Sequence, residues 1–212
     1  MASHHQERRF VFLAGLALSA LIFCGCSESR TPEPAAPVDG LAGERAAKDA
    51  SFRGDGSPIP VEERIKFRGL SYYPVNPALK FMAQLNRYPV ATPIRLATNT
   101  GEIRSGLRYG FFEFEVEGTP CRLQVYRLDD SGNEGPSLFI PFRDATSGSE
   151  TYGPGRYIDL KENTSGIYDL DFNRAHNPFC AYSDEFSCPL APAENTLAVA
   201  IRAGERNYSR MR

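Results

Sequence analysis

The chain has 212 residues, with 24 Lys and Arg against 26 Asp and Glu and a formal net charge of −2. The charge is balanced and mixed in sign, without the basic stripe of a nucleic-acid binder, so no nucleic-acid partner is expected. Only three histidines and five cysteines are present, and no G-x-S-x-G elbow, G-x-x-x-x-G-K-[ST] loop or dinucleotide fingerprint occurs.

The N-terminus comes first in chain order. Arg8 and Arg9 precede an apolar run from Phe10 to Phe23, and Phe23-Cys24-Gly25-Cys26 leads into polar Ser27, Glu28, Ser29 and Arg30. A basic start, a short apolar centre and a small residue before the cut make an export signal. The run is too short for the ~20 residues that span a bilayer. With a cysteine at the junction, the segment resembles a bacterial lipoprotein signal (residues 1–25), in which Cys26 becomes the lipid-bearing first residue. Phe23 stands where that pattern prefers Leu. Ser27 rather than Asp after the cysteine implies, by the same resemblance, the periplasmic face of the outer membrane. Processing would remove Glu7, Arg8 and Arg9 and leave 22 basic against 25 acidic residues, a net charge of −3.

Residues 26–58 are rich in Pro, Ala, Gly, Ser and charge. Little there is apolar enough to offset the entropy of ordering it, so a disordered tether is expected, with a helical turn or two over Glu44–Ser51. Residues 59–205 have the length of one domain with its own core. Phe112, Phe114 and Val116 alternate with Glu113, Glu115 and Glu117, the period of a strand with one buried face. Gly118-Thr119-Pro120 breaks it, and further strands are predicted over 122–128, 138–142, 156–160, 166–173 and 197–201. Upstream, 67–75, 79–85 and 93–97 read as strands. Residues 129–136 and 146–155 read as loops, and 206–212 as a frayed end. The expected fold is mainly β: one β-barrel or β-sandwich of about eight or more short antiparallel strands.

Four strings carry a family likeness: FRGLSYYPVNP (67–77), FRDATSGSETYGPGRYIDL (142–160), YDLDFNRAHNPFCAY (168–182) and CPLAPAENTLAVAIRAGE (188–205). Together they resemble domain of unknown function 1684, a family met as bacterial lipoproteins and as longer soluble proteins. The resemblance implies no reaction. The family pattern usually has Tyr where this chain has His176, and reference pKa values of Tyr and His differ by about 3.5 units. His176 is therefore read as a surface or packing residue, not an acid–base catalyst.

The polar residues of this C-terminal tract are the candidate site. Asp169, Asp171 and Asn173 share one face of a predicted strand, either solvated or forming a pocket wall. Their D-x-D-x-N spacing mimics a calcium loop, but Arg174 and Cys180 stand where that loop needs Gly and Glu. No metal and no cofactor are expected. Arg143, Arg156, Arg174 and Arg202 are suited to carboxylate, phosphate or sulfate, or else to ion pairs with Asp144, Asp159 and Asp171. The ligand site expected comprises Arg143, Asp144, Tyr152, Arg156, Asp171, Asn173, Asn177 and Glu194. Cys180 and Cys188, eight positions apart in an exported chain, read as a short-loop disulfide worth about 2.6 kcal/mol. Cys121 is expected to be unpaired and buried. The functional reading is a membrane-anchored binding module for a small or anionic cell-envelope ligand. The alternatives are a structural or assembly lipoprotein, and a hydrolase using a carboxylate pair among Asp144, Asp159, Asp171 and Glu194.

Overall fold

The computed structural model describes residues 38–128 and 137–209. The expected signal peptide, Cys26, residues 26–37 of the expected tether, the 129–136 loop and residues 210–212 lie outside the described residues.

Seven strands form two antiparallel sheets among the described residues. Strands β2 (Asn86–Ala97), β3 (Ile103–Val116), β4 (Thr119–Leu128), β5 (Ser137–Phe142) and β6 (Arg156–Lys161) make a five-stranded sheet in sequential order. β1 (Lys80–Gln84) and β7 (Ile167–Asp171) make a two-stranded ribbon, with Ala83 opposite Tyr168. The larger sheet is open, with β2 and β6 as edges, so the barrel alternative is removed. The ribbon packs on one face of the sheet: Ala83, Tyr168 and Leu170 share a core with Phe112, Leu123, Val125 and Ile140. The rings of Phe112 and Tyr168 meet edge to face at 5.7 Å.

The strands follow from local pattern. In β3 the alternation buries Phe112 and Val116 and leaves Glu113 and Glu115 in water. β5 is an apolar run, and it lies deep: Leu138, Ile140 and Phe142 enter the main core. Phe139 points to the opposite face, beside Leu96, Tyr126 and Tyr157. Glu117 (φ 49°) and Gly118 (φ 78°) join β3 to β4 in a two-residue turn with both φ values positive, the geometry that matches strand twist. Edge strand β2 carries Pro89 and Pro93, and its register shifts between Arg87 and Thr92.

Several sequence expectations are corrected. Residues 67–75 and 197–201 form no strand of a sheet. They run as irregular segments that hydrogen-bond to each other's neighbours and to loops: Tyr73 N–H to Gly204 O, Arg206 N–H to Ser71 O, and Ala145 N–H to Val199 O. Alternation alone does not distinguish a ladder from an irregular segment that buries every second residue. Nor does the end fray through 206–209. Asn207 N–H bonds Glu150 O at 3.1 Å, and the Tyr208 ring packs 5.1 Å from Tyr182.

The expected tether is folded from Val38 onward. Helix α1 (Val38–Ser51) and the short α2 (Val61–Arg64) precede the sheet. Leu41, Arg45, Lys48 and Phe52 recur at helical spacing, and this face docks on the domain. Phe52 is buried against Phe67, Ile59 and Tyr182, worth about 2 kcal/mol. Asp49 accepts the Leu70 N–H at 2.9 Å. Arg45 stacks over Tyr72, 4.3 Å from the ring centre, and donates to the carbonyls of Tyr73 and Asn173. Composition misses such a helix because its docking relies on charged heads and one aromatic residue.

Gly204 has φ +75°, and a Cβ there would lie 2.4 Å from Ala175 O and 2.7 Å from Phe172 O. Gly204→Ala should cost about 3 kcal/mol, combining backbone strain and overpacking. Gly101→Ala, also at positive φ but with nothing within 4 Å, should cost only about 1 kcal/mol. Urea unfolding of the two variants measures the difference.

Candidate functional site

The site residues expected from sequence fall into separate buried networks. Arg156 opens β6 and turns inward, with its side chain 1% exposed. One terminal nitrogen, Nη2, donates to Asp144 Oδ2 at 2.9 Å and to Ile201 O at 2.8 Å. The other, Nη1, donates to the carbonyls of Ala203 and Glu205. Asp144 Oδ1 accepts from the Thr146 N–H at 2.8 Å, the Thr146 hydroxyl at 2.6 Å and the Ile201 N–H at 3.2 Å. Burial pushes the Arg156 pKa down, and the Asp144 carboxylate opposes it. Within this pair, Arg156 Nε has no hydrogen-bond partner among the described residues. This pair ties the end of β5 and the start of β6 to the 201–205 segment and offers no face to a ligand.

A second network surrounds Glu205, also buried. Its carboxylate accepts from Tyr182 Oη at 2.6 Å, from the Asn177 N–H at 2.8 Å and, more weakly, from Tyr72 Oη at 3.4 Å, and it pairs with Lys48 of α1. Burial, then the Glu205 charge, raises the pKa of both tyrosines. Asn177 donates from Nδ2 to Arg206 O at 2.8 Å. Asp171 accepts from the Asn173 N–H and amide at 2.9 and 2.8 Å, and Asn173 bonds both N–H and C=O of Asn76. Glu205 and Lys48 escaped sequence reading. Helical spacing in 41–52 was the available signal for Lys48, and nothing local marks Glu205.

The remaining candidates lie apart. Glu194 accepts from Arg108 and from Tyr126 Oη, each at 2.6 Å, against the sheet. Arg143 donates to Thr196 Oγ1 at 3.2 Å. Tyr152 Oη donates to Cys180 O at 3.4 Å. Asp159 meets His176 Nε2 at 2.9 Å on the surface. The four acids considered for a carboxylate pair thus each engage a different partner. Cys121 is buried, and no S–S bond joins Cys180 to Cys188 in this structure. Of the eight expected ligand residues, Asn173 alone borders one of the clefts described next.

The largest of these clefts, about 720 Å³, is an open groove between segments 66–71, 149–150 and 206–209. Among the described residues, three cations line it, Lys66, Arg68 and Arg206, and Glu150 is its one acid. Glu150 is already engaged. Arg202 grips both its oxygens, at 2.7 and 3.1 Å, and Tyr73 Oη donates at 2.9 Å. Those bonds, Arg202's first, hold its pKa below the usual carboxylate value. The remaining lining is therefore net positive. A smaller cleft of about 140 Å³ lies beneath α1, bordered by Arg45, Lys48, Tyr72, Asn173, His176 and Glu205. A third, of about 260 Å³, lies by Asn76, Glu117 and Arg202. Sequence reading missed the 720 Å³ groove because its two basic flanks are well over a hundred positions apart. The Arg206 N–H to Ser71 O bond brings them together.

The family model described as a protein of unknown function (DUF1684) matches residues 65–206. The chain belongs to this family. No curated protein matches it. Among solved structures, it resembles the solution NMR structure of the uncharacterized protein from gene locus rrnAC0354 of Haloarcula marismortui, a Northeast Structural Genomics Consortium target. The two are 38% identical with a TM-score of 0.62, over 79% of this chain and 92% of that one. The DUF1684 match begins after α1, so Lys48 and Arg45 reach into the matched region from outside it.

Asp144→Ala would strand the buried Arg156 charge and should cost about 3–5 kcal/mol. Arg143→Ala should change stability by less than about 0.5 kcal/mol. Urea denaturation checks both. A ligand-contact role for Asp144 would instead leave stability nearly unchanged.

Proposed function

We propose that this DUF1684 protein is an exported, lipid-anchored binding module that takes an anionic cell-envelope ligand in the 66–71/149–150/206–209 groove. The observation that carries the reading is the charge of that groove: Lys66, Arg68 and Arg206 line it, and its one acid is spent on Arg202 and Tyr73. Arginine forks and a lysine suit phosphate or carboxylate groups. Arg206 stacks 5.2 Å from the Tyr73 ring, which aims its guanidinium. The lipid anchor rests on the Cys26 junction. Among the described residues, no helix is long and apolar enough to cross a membrane.

A structural or assembly role is the second reading. It is favoured by the way Asp144, Arg156, Asp171, Asn173 and Asn177 spend their hydrogen bonds inside the fold. Titration of the full chain with inorganic phosphate, glucuronate and an uncharged sugar separates the two. The binding reading expects saturable binding of an anion, absent for the sugar. Arg68→Ala or Arg206→Ala should then weaken it about tenfold, the loss of one charge-assisted hydrogen bond. Silence toward all three probes, or binding untouched by both substitutions, removes the groove as the site.

Anchoring is tested by metabolic labelling with palmitate. The native chain should incorporate label and Cys26→Ala should not. An exported but unlabelled native chain overturns the anchor.

A further inference from the structure

Cys180 and Cys188 are held against each other by separate parts of the fold. Cys180 sits in the short 3-10 turn Phe179–Ala181 and is 2% exposed. Cys188 is partly exposed, and its backbone is pinned by the β2–β3 turn. Its N–H donates to Asn99 Oδ1 at 2.7 Å, and its carbonyl accepts from the Asn99 N–H at 3.2 Å. Thr98 bridges Pro189 beside it, and Tyr157 Oη donates to Pro189 O. The Cys180 N–H points at Cys188 Sγ at 3.3 Å. Tyr152 Oη approaches Cys180 Sγ at 3.6 Å.

The two sulfurs therefore have unlike surroundings. Cys188 Sγ accepts the Cys180 N–H at 3.3 Å and has the Cys180 thiol against it, effects that outweigh its own partial burial. These stabilise a thiolate and draw its pKa below the ordinary thiol value. Cys180 gives its proton to that contact and is buried, and both effects push its pKa up. An attacking sulfur needs access and thiolate character, and a second thiol in contact resolves what it forms.

The geometry points to a reversible dithiol–disulfide exchange site in which Cys188 is the attacking sulfur, Cys180 the resolving one, and the substrate a disulfide. The Cys188 thiolate attacks one sulfur of R–S–S–R. The Cys188–S–S–R bond forms and the first RS⁻ leaves. The Cys180 proton passes to solvent or to that thiolate. Cys180 sulfur then attacks Cys188 sulfur, the Cys180–Cys188 bond forms, and the second RS⁻ leaves. The dithiol loses two electrons and two protons, and R–S–S–R becomes two thiols. This differs from a permanent staple, and it does not depend on the anionic groove.

The test uses the full chain in glutathione buffers of varied redox ratio, followed by acid quenching and peptide mapping. No Lys or Arg occurs in 175–201, so trypsin leaves both cysteines in one peptide, 175–202. In the native chain that peptide should lose two hydrogens in oxidising buffer and regain them in reducing buffer. Cys180→Ser should accumulate one glutathionyl group on Cys188. Cys188→Ser should modify Cys180 at least about tenfold more slowly, as burial and a raised pKa require. In the reduced native chain, a maleimide at pH 7 should label Cys188 about tenfold faster than buried Cys121, a measurement that needs no variant. The inference is overturned if oxidised glutathione never closes the pair, or if the closed pair resists reducing buffer. Equal rates at Cys180 and Cys188 in the two variants, or at Cys188 and Cys121 in the native chain, overturn it as well.

Discussion

The fold hangs on one buried charge pair. Arg156 and Asp144 lie at the join between the sheet and the C-terminal segment, and together they bond the backbone at Ile201, Ala203 and Glu205. That segment has few ladder partners of its own. A guanidinium with two forked nitrogens can hold three carbonyls and a carboxylate at once. An apolar residue there would leave those carbonyls unmet in a dry interior, each at a cost of about 1–3 kcal/mol. The pair therefore acts as a connector. Through it the strand β6, the loop after β5 and the chain end share one fate.

The sheet was more legible than the site, and for a physical reason. β3 announces itself through period-two burial, β5 through an unbroken apolar run, and the break between β3 and β4 through Gly118, signals confined to a few neighbouring residues. The family likeness likewise lay in long strings of residues. Sequence gives the type of each polar residue and not its placement. Arg156 looks the same in sequence whether it faces a ligand or Asp144. Only the three-dimensional path of 197–205 decides, and that path bends at Ala198, Val199 and Gly204 without forming a strand. Glu205 and Lys48 illustrate the same limit: 157 positions separate them, and neither has a local pattern that predicts the other.

Helix α1 shows how a polar segment can be ordered. Its hydrophobic content is low, yet Lys48 answers a buried carboxylate, Arg45 caps two carbonyls, and Phe52 fills a cluster with Phe67 and Tyr182. The helix gains order from the needs of the body beneath it. Without α1, Glu205 would keep Tyr182 and Asn177 as donors and lose its counter-charge. The region matched by the DUF1684 description thus contains an acid whose neutralising partner lies outside it.

The open sheet has a further consequence at β2. Pro89 and Pro93 remove backbone donors from that edge, and the register slip between Arg87 and Thr92 bends the strand away from a straight template. A second molecule approaching sideways meets an interrupted row of N–H groups, unfit for continuous strand addition. At high concentration, copies would resist aggregation through this edge, leaving the broad faces and loops of each molecule available for selective contacts.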